Sequence, residues 1–357
     1  MKRCSRIDPH AFGVCALLLT AMPPGAFALA PSDTACCSFA RPDDHAPAGV
    51  MNDHMHPAGK WMAGLRYNRV SWSGLKQGSE DISEPQALMA GYKALPTEMT
   101  MDMYMLDIMY AVNDRLTLMF MPQYMSMDMT MHKYGAMSGM GNGMAMVEPM
   151  TMGHGTSGLG DTVLTALIKL ANYDGGSVHM GLGLSLPTGS VDETGPSGNV
   201  THYGMQLGSG TYDLKPSLTW LGRGDSWSWG AQLSGTYRLE DENDMGFRFG
   251  NIFEATGWLS YLIGNGFSVS GRVNYHDEGQ IQGHYNVPHG HSSPPDFQEN
   301  YGGEYWEAGL GVNLSVPSGA LAGHRFGVEM LWPISEDYNG IQLARDWSFY
   351  AVWSFAF

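Results

Sequence analysis

From about residue 60 to the C-terminus, apolar and polar side chains alternate with period two, the pattern of strands whose two faces meet different surroundings. Twelve stretches show it: roughly 60–72, 99–112, 115–128, 160–171, 177–187, 210–221, 226–239, 252–263, 267–277, 303–315, 324–333 and 346–357. Most run to 10–14 residues, longer than the five or six usual in soluble sheets and suited to the roughly 9–11 tilted residues that cross a bilayer. The connectors alternate as well. Those at 112–114, 172–176, 222–225, 264–266 and 318–323 are short, whereas those at 73–98, 129–159, 188–209, 240–251, 278–302 and 334–345 are long. An even set of antiparallel strands with short turns at one end and long loops at the other predicts an all-β transmembrane barrel of about twelve strands. Its short turns would be periplasmic and its long loops extracellular.

The ionisable residues sharpen this reading, because a charge facing hydrocarbon at mid-depth costs a barrel about 2–4 kcal/mol. Leu164, Ala166, Ile168 and Leu170 share one face, opposite Asp161, Thr165 and Lys169. Leu214, Leu218 and Trp220 oppose Asp213, Lys215 and Thr219; Val269 and Val273 oppose Arg272 and Asn274; Leu310 and Leu314 oppose Glu307 and Asn313. The final stretch places Trp347, Phe349, Ala351, Trp353, Phe355 and Phe357 on one face. This aromatic face ending on Phe357 is the signal expected to engage the outer-membrane insertion machinery, and Trp61, Tyr67, Trp227 and Trp229 are candidates for an interfacial aromatic girdle.

Composition narrows the function. Only 15% of the residues are charged, the formal net charge is −16 and mean hydropathy is −0.19. An acidic chain without a basic stripe has no footprint for nucleic acid, and the polarity excludes repeated apolar helices. Lys2, Arg3 and Arg6 precede an apolar run from Ala11 to Ala21, and Ala28-Leu29-Ala30 offers a small-x-small cleavage site. Residues 1–30 are therefore read as a signal peptide, 31–59 as a periplasmic N-terminal segment or plug, and 60–357 as the barrel. Asp33 departs from the aliphatic residue expected before a lipoprotein cysteine such as Cys36. The expected surroundings are outer-membrane lipid and the bacterial outer membrane.

Several stretches resemble outer-membrane transporters of the family named for the MetA pathway of phenol degradation, grouped with aromatic and fatty-acid uptake barrels. They are His56-Pro57-Ala58-Gly59, Asp114-Arg115-Leu116-Thr117-Leu118, Ser157-Gly158-Leu159-Gly160-Asp161, Leu186-Pro187-Thr188-Gly189-Ser190 and Leu207-Gly208-Ser209-Gly210-Thr211-Tyr212-Asp213. The resemblance spans residues 54–357 and implies passage of small molecules through the outer membrane, not phenol chemistry.

Of the 27 Met, 17 lie between Met99 and Met152. Met99, Met101, Met103, Met105 and Met109 share parity with Asp107, and Met119, Met121, Met125 and Met127 share parity with Arg115 and Gln123, so both sets should face the lumen. A three-residue turn at Val112-Asn113-Asp114 would pair Met105 with Met121 and Met101 with Met125. The same run continues into the long loop through Met129, Met131, Met137, Met140, Met144, Met146, Met150 and Met152, accompanied by His132 and His154. Such a wall suits a small apolar or aromatic ligand, because Met is flexible and polarizable. It also suits a soft cation: thioethers select Cu(I), and Met-x-Met places sulfurs on one face about 6.6 Å apart. Ligand contacts are accordingly expected at Met101, Met103, Met105, Met119, Met121, Met125 and Met127. For the metal alternative, Met129, Met131, His132, His154, His54 and His56 are the candidates, with Cys36, Cys37, His45 and Met55 nearby in the N-terminal segment. His284, His289 and His291 sit in a Pro-rich loop.

No catalytic constellation emerges. Gly153-His154-Gly155-Thr156-Ser157-Gly158 fits a dinucleotide fingerprint in spacing only, without the strand and crossover helix that give it meaning. The chain is read as a non-enzymatic channel that requires no cofactor, with Cu(I) as alternative cargo.

Overall fold

The computed structural model describes residues 41–135, 149–195 and 198–357, so residues 1–30, read above as a signal peptide, and Cys36, Cys37, Met137, Met140, Met144 and Met146 lie outside the described residues. The strands in chain order are β1 (Trp61–Gly78), β2 (Glu80–Ile82), β3 (Ala94–Asn113), β4 (Leu116–Met121), β5 (Gln123–Lys133), β6 (Met150–Leu159), β7 (Thr162–Tyr173) and β8 (Gly176–Leu186), followed by β9 (Asp213–Arg223), β10 (Trp227–Arg238), β11 (Phe247–Arg248), β12 (Ile252–Ile263), β13 (Phe267–Glu278), β14 (Gln282–Gly283), β15 (Gly303–Ser315) and β16 (His324–Ala356). A short helix, α1 (Glu84–Met89), follows β2. No helix among the described residues is long and apolar enough to cross a membrane.

Eleven antiparallel strands close a ring in the order β1, β3, β4, β7, β8, β9, β10, β12, β13, β15, β16 and back to β1. β2, β5 and β6 extend the wall outside that ring, and β11 pairs with β14 as a separate ribbon. The 33-residue β16 doubles back near Gly340, whose φ of 61° is the left-handed conformation a tight reversal needs. Tyr338 is accordingly paired both with Gly303 of β15 and with Gly78 of β1. His324 at the start of β16 stacks on Phe355 near its end, with ring centroids 4.5 Å apart. β16 thus crosses the wall twice, and the crossings number twelve. Closure leaves no edge of the ring unpaired, which hydrocarbon requires.

The alternation sorts side chains as read from the sequence. Leu65, Leu164, Leu218, Leu310 and Leu314 are exposed on the outside, while Arg66, Asp107, Arg272, Glu307 and Glu329 are buried inside. Trp61 lies against Tyr110 at 4.5 Å and Trp227 against Tyr261 at 4.6 Å, forming an aromatic belt at the short-turn end.

Two expectations are corrected. Residues 129–159 and 334–345, read as loops, contribute strand at β5, β6 and the β16 hairpin. In the β16 hairpin polar residues such as Glu336 and Asp337 break the alternation while the backbone ladder continues. The β3 register also differs from the expected one by two residues. Met101 faces Met127, Met103 faces Met125 and Met105 faces Gln123, because Asn113 pairs with Leu116 across a shorter turn and an irregularity falls between Ala111 and Asn113. A slip of two preserves parity, so every Met keeps its face.

Residues 41–56 run inside the short-turn end of the barrel as a plug, with Ala46, Ala48, Val50, Asp53 and His56 all buried. Buried irregular backbone must find hydrogen-bond partners, and lumenal side chains supply them. Gln232 Nε2 donates to Met51 O at 2.8 Å, Arg325 Nη2 to Ala46 O at 2.9 Å, and Arg66 Nη1 to the carbonyls of Ala48 and Val50, each at 3.1 Å. Gly49 N donates to Glu329 Oε2 at 2.7 Å, an approach that needs glycine, since a Cβ there would lie 2.5 Å from Arg272 Nη2.

Candidate functional site

The odd positions of β3, β4 and β5 build a methionine wall along the lumen. Across the strand pair Met99 faces Met129 and Met109 faces Met119, beside the Met101–Met127 and Met103–Met125 pairs. Low down, Met105 and Met121 pack with Val163, Met103 and the plug residue Met51. High up, Met127, Met129 and Met131 pack with Met205 and Leu207, which arrive from the loop after β8. Met51, Met205 and Leu207 were not identified from the sequence, because no periodicity links an isolated loop side chain to the wall it covers.

Two cavities adjoin this wall. The lower, about 320 Å³, has Met101, Met103, Met105, Met119 and Met121 on one side and Arg66, Lys215, Glu254, Arg272, Glu307 and Arg345 among its polar lining. The upper, about 300 Å³, lies between Met99, Met101, Met125, Met127 and Met129 and an apolar roof that includes Trp72, Tyr301, Ile341 and Leu343. Met101 lines both. The seven expected ligand-contact residues thus divide: Met103, Met105, Met119 and Met121 below, Met125 and Met127 above, Met101 between. The charges of the lower cavity belong to a network that includes Arg272–Glu329 at 2.7 Å and Arg345–Glu307 at 3.8 Å. Such pairing lets charge persist in a confined lumen.

Three stretches that were separate in sequence meet in a clasp. The Asp161 carboxylate accepts from Gly189 N at 2.9 Å, Ser209 N at 2.7 Å and Ser209 Oγ at 2.9 Å. Thr188 Oγ1 donates to Gly160 O at 2.9 Å, and Thr211 Oγ1 to Asp213 Oδ1 at 2.7 Å. Gly208 is pressed into this junction, where a Cβ would fall 2.5 Å from Asp161 Oδ1. The clasp carries the loop after β8 inward and seats Met205 on the wall, and Thr156 Oγ1 donates to Met205 O at 2.8 Å.

The expected metal residues do not form one site. His132 points away from the wall and bonds Glu84 of α1 through Nδ1 at 2.9 Å. Met129 and Met131 remain on the wall, and His154 pairs with Met129 across the β5–β6 ladder. The His154 ring lies 5.3 Å from that of His202, a neighbour the sequence did not disclose. His54 and His56 belong to the plug, with ring centroids 4.8 Å apart. His54 Nδ1 bonds Asp53 Oδ1 at 2.8 Å, and Ala46 N donates to Asp53 Oδ2 at 3.1 Å. Burial and the Arg325 guanidinium push the His45 imidazole down to about 3. Burial, with His54 and His45 adding to it, pushes His56 to about 2. Burial alone would raise Asp53, but the attraction and hydrogen bond of His54, the His45 imidazole 3.8 Å away and the nearby Arg325 outweigh it and hold the carboxyl well below its usual range.

Residues 106–325 match the family described as "Putative MetA-pathway of phenol degradation". Among solved structures, the chain resembles an outer membrane channel from Pseudomonas putida F1 at 16% identity, covering 86% of this chain and 98% of that one with a TM-score of 0.56. It also aligns with a Pseudomonas aeruginosa FadL homologue at 10% identity, over 83% of this chain and 90% of that one, with a TM-score of 0.40. No functionally curated protein matches the sequence.

Proposed function

Since the chain belongs to the family of the MetA pathway of phenol degradation and folds as an outer-membrane barrel, we propose that it passes small molecules with an apolar, commonly aromatic, body across the outer membrane. The observation that carries this reading is Met101, which lines both the apolar upper cavity and the polar lower one. A ligand entering from the loop side meets a deformable thioether surface, then slides along the same wall into a chamber whose lining also bears Arg272 and Arg345. Apolar contact on one flank and guanidinium on the other suits a molecule with a hydrophobic body and one polar or anionic group. The plug then gates the exit.

The test is flux of a labelled small aromatic acid into proteoliposomes. Met101→Trp, which narrows the junction, is expected to lower flux at least fivefold, whereas Met89→Trp on the exposed face of α1 leaves it unchanged. Equal flux through the Met101→Trp and wild-type barrels overturns the path.

The Met129–His154 pair beside His202 favours a second reading, a soft cation such as Cu(I) as cargo. Copper content measured after Cu(I) loading should fall when Met129 and Met131 are changed to Leu and His154 to Phe. Unchanged content removes that reading.

A further inference from the structure

Among the described residues, one group of three His, Cys, Asp or Glu side chains is close enough to share an ion: His45, Asp53 and His54 of the plug, each offering a ligand atom, with all such atoms within 4.8 Å of one another. The two imidazoles cross edge to face with centroids 4.6 Å apart. All three residues are more than nine-tenths buried. His45 Nδ1 and His54 Nε2 are buried nitrogens without a hydrogen-bond partner. An orphaned buried polar atom carries a desolvation cost of about 1–3 kcal/mol, and coordination is a way to recover it. Two nitrogens each about 2 Å from a common ion span at most about 4 Å, so a separation of at most 4.8 Å between one ring nitrogen of each histidine closes with a movement under about 1 Å.

We propose that His45 and His54, flanked by Asp53, form a binding site for a monovalent d10 cation of the Cu(I) or Ag(I) type within the plug. Imidazole suits copper, and the charges around the site select the valence. Asp53 stands 4.0 Å from Arg66, which is itself paired with Asp107, and Arg325 donates to Ala46 O and Asn313 Oδ1 alongside. Two carboxylates are therefore balanced by two guanidiniums. A monocation leaves one uncompensated positive charge in this buried setting and a dication leaves two, a cost that rises steeply with charge. The site is local to residues 45–54, so its occupation closes a short loop and stiffens the plug in its docked form. It does not rest on the transport reading: a barrel that passes no aromatic solute still tests it.

The experiment is calorimetric titration of the refolded full-length barrel with Ag(I), which needs no reductant, with Zn(II) as the parallel arm. The expected result is one Ag(I) bound per chain at the plug, weakened at least tenfold in His45→Gln/His54→Gln and retained when Met129 and Met131 are changed to Leu. Heat-modifiable gel migration establishes that each variant is folded. If the double-histidine variant does not fold, the imidazole ¹⁵N resonances of wild type serve instead, and those of His45 and His54 are expected to shift on adding one equivalent. Absence of binding, binding that survives loss of both histidines, resonances that do not move, or Zn(II) bound more tightly than Ag(I) at this site each overturn the proposal.

Discussion

At the scale of single residues, Asp161 shows how one carboxylate organises an inward loop. Its two oxygens accept three hydrogen bonds from Gly189 and Ser209, and bonds to a charged group contribute about 1.5–3 kcal/mol each. Asp161→Ala leaves two buried backbone N–H groups unpaired and is expected to release the loop after β8. Amide hydrogen exchange over residues 187–212 should accelerate by at least tenfold while β12 and β13 remain protected; uniform protection would remove the clasp from the account. The stretches bearing Asp161, Gly189 and Ser209 were visible in the sequence as Gly-rich motifs, but their convergence was not. Each marks a strand end, and nothing local to a strand end says which other ends lie beside it.

At the scale of elements, the alternation decided which face each strand turns to lipid. Leu218 lies near the middle of β9 on the outer face, and Leu321 lies in the turn before β16. Leu218→Arg is expected to cost about 2–4 kcal/mol of folding stability and Leu321→Arg under about 1 kcal/mol, read by urea titration of tryptophan fluorescence in vesicles. Equal costs would mean that β9 does not face hydrocarbon where its sequence says it does. The same periodicity could not fix register, because moving β4 and β5 by two residues along β3 exchanges the partners of Met101 without turning any side chain over. Nor could it find β6 or the hairpin end of β16, where the ladder continues through residues read as loop. Residues 31–59 were read as a periplasmic segment or plug, and nothing in their sequence decided between the two. The plug's place in the lumen follows from backbone groups that Gln232, Arg66, Arg325 and Glu329 satisfy, and those partners lie up to 280 residues away.

At the scale of the whole molecule, the plug and wall form a pH-sensitive pair. His45 faces Asp53, His54 and Arg325, and His56 faces His54, His45 and Asp53. Docking lowers the first imidazole to about 3 and the second to about 2 from an undocked value of 6.5. The released segment therefore binds more protons than the docked one between those limits. Docking stability is fully present above pH 6.5 and declines as pH falls toward about 3, by up to ~1.4 kcal/mol per unit for each imidazole. Asp53, held low when docked, adds to the decline once pH passes below its undocked range. Single-channel conductance in planar bilayers should consequently rise as pH is lowered from 7 to 4. A barrel lacking residues 41–57 should conduct at the higher level throughout, without that dependence; a pH response identical in the two would separate the effect from the plug.

The seam of the barrel has a consequence for its birth. Trp61 and Phe357 exchange backbone hydrogen bonds, N to O at 3.0 Å and 2.9 Å, so the wall closes only when the last residue of the chain reaches the first strand. Gly49 takes its carboxylate partner from β16. The segment before β1 therefore gains this partner only once β16 is in place, since contacts so distant along the chain form late. Until β16 is in place neither the seam nor the carboxylate seat of Gly49 exists, so one strand completes both the wall and the stopper inside it.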